Sequence, residues 1–101
     1  MRASAAWFTI IIFMSPQEAV TQPPTPPSVI MTCAACHGVD GIGRDRGIPN
    51  LAGQSRDYLA GQLRAFRSGQ RQHPTMNFFA VQATRDELQQ IVDYYTALPK
   101  P

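Results

Sequence analysis

Two cysteines stand three residues apart, and a histidine follows the second directly: Cys33-Ala34-Ala35-Cys36-His37. They are the only cysteines in the chain. On a helical turn, residues i and i+3 lie on one side. Both thiols then face one object, and His37 stands beside them with a nitrogen to offer. Whatever those three groups hold, the rest of the chain has to fold around it.

Four chemistries could use the pattern. A thioredoxin-like pair needs a βαβ context, and no strand–helix–strand alternation is visible. A structural zinc site needs four donors, and beyond these three only His73 remains among the cysteines and histidines. A plain disulfide leaves His37 without a role and a small core unexplained. The fourth is addition of both thiols to two vinyl groups on one edge of a haem, with His37 under the ring as an iron ligand. C-x-x-C-H is the signature of c-type haem attachment. One covalently attached haem c on Cys33 and Cys36, with His37 as an axial ligand, is the expectation.

Size agrees with a cofactor. The chain has 101 residues, one domain at most. Met1-Arg2, the apolar run Ala5 to Met14 and the polar Ser15-Pro16-Gln17-Glu18-Ala19 follow the order of a secretory signal peptide. A membrane span takes about 20 apolar residues, so this run is too short to cross a bilayer comfortably. Residues 1–19 are expected to direct export to the periplasm, with an ill-defined cleavage site; membrane association would follow only if the segment were retained. Residues 20–27 hold four prolines in Thr21 to Pro27, an extended spacer. Residues 28–101 are the expected folded domain, with a core of roughly 70 residues that is marginal without a staple, metal or cofactor.

A low-spin electron carrier needs a second axial ligand. Of four methionines, Met1 and Met14 lie in the export segment, and Met31 is too close to Cys33 to reach the other haem face. Met76 stands 39 residues after His37, far enough to wrap the haem edge. A thioether is a soft ligand, and His/Met ligation raises the reduction potential. His73, in the loop Gly69 to Pro74, is the rival and would give bis-histidine ligation. Net charge is only +2, which offers no nucleic-acid footprint. Arg44, Arg46, Arg56, Arg64, Arg67 and Arg71 are either solvated surface or partners for haem propionates or an acidic redox protein.

Helical periodicity supplies the scaffold. Leu59, Leu63 and Phe66 share a face between about Ser55 and Ser68, and Gly69 suits a C-terminal cap. Thr84-Arg85-Asp86-Glu87 reads as a capping box, followed by Leu88, Ile91, Val92, Tyr95 and Leu98 on one face, with Pro99 as the stop. A short helix runs from Ser28 into the cysteine motif. Five glycines between Gly38 and Gly53 mark a tightly turning loop. The class is all-α, three to four helices wrapped around one haem.

With Cys33-Cys36-His37 and Met76 placed, the chain resembles a class I cytochrome c. It is most similar to one half of the dihaem cytochromes c4 and to related small monohaem carriers. The stretches that carry the resemblance are Cys33 to Gly38 with Asp40-Gly41, and Pro49-Asn50-Leu51-Ala52-Gly53-Gln54. Tyr58-Leu59, Gln62-Leu63, Phe66, Gly69, Arg71 and Met76, eight residues before Thr84, continue it. The resemblance implies that the Pro49 carbonyl accepts from His37, that Tyr58 and Arg71 reach the haem propionates, and that Tyr94 and Tyr95 pack on the N-terminal helix. Two departures stand out. Pro26-Pro27 shortens that helix, which puts its contact with the last helix in question. Phe78 and Phe79 replace smaller residues, either shielding the haem edge or forming a docking patch.

The function expected is a periplasmic electron carrier, not an enzyme. Its partners would be redox proteins: a dehydrogenase, a terminal oxidase or a reductase. A monomer or weak dimer is expected. The alternatives are a cytochrome subunit of a larger dehydrogenase or oxidase complex, and an open-site haem enzyme such as a peroxidase.

Overall fold

The computed structural model describes residues 2–19 and 25–101. Residues 2–19 form no helix or strand and are exposed, so the apolar run Ala5 to Met14 adds nothing to the core. Of the expected spacer, residues 20–24 lie outside the described residues. No described helix is long and apolar enough to cross a membrane.

The described residues form four helices: α1 (Ile30–His37), α2 (Arg56–Ser68), α3 (Pro74–Gln82) and α4 (Arg85–Thr96). The described residues contain no strand, as the all-α expectation requires. The first turn of α1 lacks a side-chain cap. Its amides turn instead to the carbonyls of Pro27, Ser28 and Val29. Ser55 caps α2, its side chain accepting from the Tyr58 amide, and Gly69 closes that helix in the left-handed region. The α4 capping box is complete: Thr84 Oγ1 accepts from the Glu87 amide at 3.1 Å, and Glu87 Oε1 accepts from the Thr84 amide at 3.2 Å.

Helix α3 is the element that periodicity did not reveal. Its apolar residues surround the axis, so no stripe distinguishes a buried face. Pro74 at its start is pre-set for a first helical turn, and the segment expected as a loop around His73-Pro74 is a helix entry.

The core is the stack of α2 and α4 over the start of α1. Ile30 and Tyr95 are its largest fully buried side chains, joined by Leu59, Ile91, Val92, Tyr94 and Leu98. The short N-terminal helix therefore still reaches the last helix, through Ile30. The loop between α1 and α2 folds back at Gly41, whose carbonyl accepts from the amides of Leu51 and Ala52 at 2.8 and 3.1 Å. Gly41 has φ +75°, and a Cβ there would lie 2.7 Å from the Ala52 Cβ. That closure carries Pro49 back toward His37.

Candidate functional site

Helix α1, the returning loop, α2 and the first turn of α3 enclose a cleft of about 540 Å³. This is the size of a cofactor site. All of the expected site residues line it: Cys33, Cys36 and His37 from α1, Pro49 from the loop, Tyr58 from α2, then Arg71 and Met76. Leu59, Leu63, Phe66, Phe79 and Ile91 make the wall apolar.

His37 is 8% exposed, and its Nδ1 lies 2.9 Å from the Pro49 carbonyl oxygen. A carbonyl only accepts, so Nδ1 carries a proton and Nε2 is the nitrogen left to face a metal. That is the tautomer a metal-binding imidazole needs, with its ring fixed by a backbone partner. Next door, Tyr95 Oη donates to the Gly38 carbonyl at 3.0 Å and Tyr94 Oη to the Val39 carbonyl at 2.6 Å. Two hydroxyls of α4 thus tie down the chain directly after His37. Their apolar rings were expected to pack on α1; the polar tips were not foreseen.

Cys33 is half-buried and Cys36 exposed. Burial pushes the Cys33 thiol above its ordinary value, against a smaller opposing effect of a backbone hydrogen bond. A redox-active C-x-x-C needs the opposite, a thiolate stabilised by its surroundings. The thiol-exchange alternative therefore finds no support here.

Met76 is half-buried in the first turn of α3. His73, its rival, is the N-cap of that helix, and its Nδ1 accepts from the Met76 amide at 3.3 Å. One ring nitrogen of His73 is thus engaged in holding the Met76 turn. Met31, 62% exposed, lies on α1 away from these groups. The Arg71 guanidinium stacks 4.6 Å from the Phe66 ring centre and donates to Gln62 Oε1 at 2.7 Å, which holds a cation at the cleft rim. Tyr58 is half-exposed at the same rim. Phe78 and Phe79 meet edge to face at 5.4 Å and then part: Phe79 lines the cleft, while Phe78 points to solvent.

These residues fit a haem. Two thiols and a correctly protonated imidazole lie on one side, a thioether enters from another element, and the walls between them are apolar.

The comparisons agree. The cytochrome c family profile matches residues 28–98. Cytochrome c-554(548) of Halomonas halodenitrificans is 39% identical over 71 residues, which cover 67% of this chain and 86% of that protein. The thiosulfate dehydrogenase electron acceptor of Stutzerimonas stutzeri is 41% identical over 69 residues, covering 65% of this chain but 32% of the relative. Among solved structures, the thiosulfate dehydrogenase TsdBA of Marichromatium purpuratum aligns with TM-score 0.63 and 43% identity, over 66% of this chain and 14% of that one. The chain thus spans nearly all of one relative and about a third or less of the other two. It belongs to the cytochrome c family of electron-transfer proteins, as a small all-α class I domain in which Cys33, Cys36 and His37 fit one covalently bound haem c.

Proposed function

We propose that this chain is a periplasmic single-electron carrier, its haem joined to Cys33 and Cys36 and its iron ligated by His37 and Met76. The observation that carries this reading is the convergence of His37, with Nδ1 held by Pro49, and Met76, held by the His73 cap, on one apolar cleft. When bound, the haem supplies a one-electron Fe(III)/Fe(II) couple. The protein's part is to fill both axial positions, exclude water and keep the geometry unchanged between oxidation states. Arg71, held by Phe66 and Gln62, and Tyr58 would face the acidic edge of the group. Export of the domain rests on the order of residues 1–19.

A dehydrogenase is the donor class we favour, because two of the similar proteins carry thiosulfate dehydrogenase in their names. The chain would then act as a free acceptor or as a subunit of the complex, and a complex that survives purification would select the subunit.

The test is Met76→Ala. Oxidised wild type is expected to show the far-red charge-transfer band of a thioether on ferric haem, and the variant to lose it. The variant's reduction potential should fall by on the order of 100 mV, since axial ligands set haem potentials across about 0.8 V. A wild type that lacks the band and binds carbon monoxide readily would make the open-site alternative correct.

A further inference from the structure

The side chain after Met76 ties three segments together. Asn77 Nδ2 donates to the Phe66 carbonyl at 2.8 Å and to the Arg71 carbonyl at 2.9 Å, while its Oδ1 accepts from the His73 amide at 2.8 Å. The Asn77 backbone amide also donates to the His73 carbonyl at 2.9 Å. Phe66 lies in the last turn of α2, whose final carbonyls have no partner within the helix. One half-buried carboxamide therefore caps α2, closes the turn at residues 69–73 and pins the start of α3.

Met76 sits inside that bracket. Its amide goes to the His73 ring, and His73 is bonded to Asn77 from both sides of its backbone. Met76 has a flexible side chain that by itself holds no fixed position. For its sulfur to stay at the cleft, the first turn of α3 must not slide along α2. The Asn77 bonds to Phe66 and Arg71 are what resist that slide. The site demands two donors and one acceptor on a short stem. Aspartate has the same shape but no donor, and would set an anion against two carbonyl oxygens.

We propose that Asn77 is a positioning residue that holds the Met76 sulfur at the cleft and so sets how firmly Met76 stays on the iron. This rests on Met76 being the axial ligand. It predicts an effect on the methionine–iron bond beyond any effect on global stability.

The experiment compares holoprotein from wild type, Asn77→Asp, Asn77→Ser and Thr84→Ala. Thr84→Ala removes the α4 cap, beyond the opposite end of α3 from the bracket, and lowers global stability. Imidazole is titrated into each oxidised protein while the far-red band is followed, and unfolding is followed separately by far-ultraviolet dichroism. The Asn77 variants are expected to bind imidazole about tenfold more tightly, the effect of losing one or two well-formed hydrogen bonds. Their band should also disappear on heating before the helices melt. Thr84→Ala should melt earlier yet bind imidazole within about twofold of wild type. If the Asn77 variants match wild type, or change no more than Thr84→Ala, Asn77 has no positioning role. If wild type has no far-red band, or Met76→Ala keeps it, the axial assignment itself fails. Asn77→Ser carries the test if the carboxylate of Asn77→Asp prevents haem attachment.

Discussion

A chain with both Cys33 and Cys36 replaced by alanine is expected to emerge without haem and without a cooperative unfolding transition. The reason is the size of the domain and the place of the cleft. A domain of roughly 70 residues buries only about 60% of the surface its unfolded chain exposes, which leaves little net stability. Here part of that modest core is the wall of the cleft, where Leu59, Phe66 and Ile91 face the site. Removing the group that fills about 540 Å³ leaves Leu51, Leu63 and Met76, already only half-buried on the cleft wall, facing water. His37 alone offers one weak bond to free haem. Mass spectrometry of the purified chain should show no added haem, and far-ultraviolet dichroism a melt without a sigmoid. A double variant that melts as sharply as wild type would mean that the helices stand without the cofactor.

Tyr95→Ala is expected to be the most damaging substitution outside the motif. The ring is fully buried between Ile30, the end of α4 and the strap after His37. Deleting a ring of this size from a core costs about 3–5 kcal/mol, close to the whole stability of a small domain. Tyr95→Phe separates the two parts of that loss. It keeps the ring and removes only the hydroxyl's bond to the Gly38 carbonyl, which still accepts from the Gly41 amide. About 1 kcal/mol is then expected. The pH dependence has a definite sign. Burial, aided by the charges of Tyr94 and Asp40, raises the Tyr95 phenol above its ordinary 10.0. A group whose folded pKa is raised contributes fully below the unfolded value and loses that contribution as pH climbs toward the folded one. Wild type should therefore lose stability above pH 10 faster than Tyr95→Phe, measured by denaturant unfolding at pH 8 and pH 10.5. Parallel pH profiles of the two proteins would contradict it.

Much of this molecule was legible where local rules and tertiary packing agree. Helix α4 announces itself through Thr84, Glu87 and the stripe from Leu88 to Tyr95, and every cap bond is made. Helix α2 does so through its amphipathic face and Gly69, with Ser55 as its N-cap. Helix α3 had no stripe to read, because it is apolar on the cleft side at Phe79 and on the solvent side at Phe78 and Val81. Its one local signal was Pro74 after a residue able to cap. The cysteine motif stands out because covalent chemistry fixes its spacing. The Pro49 partner of His37 came only from resemblance, since a loop closed at Gly41 has no periodic pattern. Asn77 and the tyrosine hydroxyls escaped because their partners are backbone groups 4 to 57 residues away, which side-chain types do not encode.

The central claim is that the iron lies between His37 and Met76. The most direct test is proton NMR of the reduced holoprotein with methionine methyl groups labelled. One methionine methyl, assigned to Met76 by its absence in Met76→Ala, should be shifted far upfield of the methyl envelope by the haem ring current. The Met31 methyl should stay at its ordinary position. A spectrum with no upfield methionine methyl, or with one that survives in Met76→Ala, would contradict the assignment.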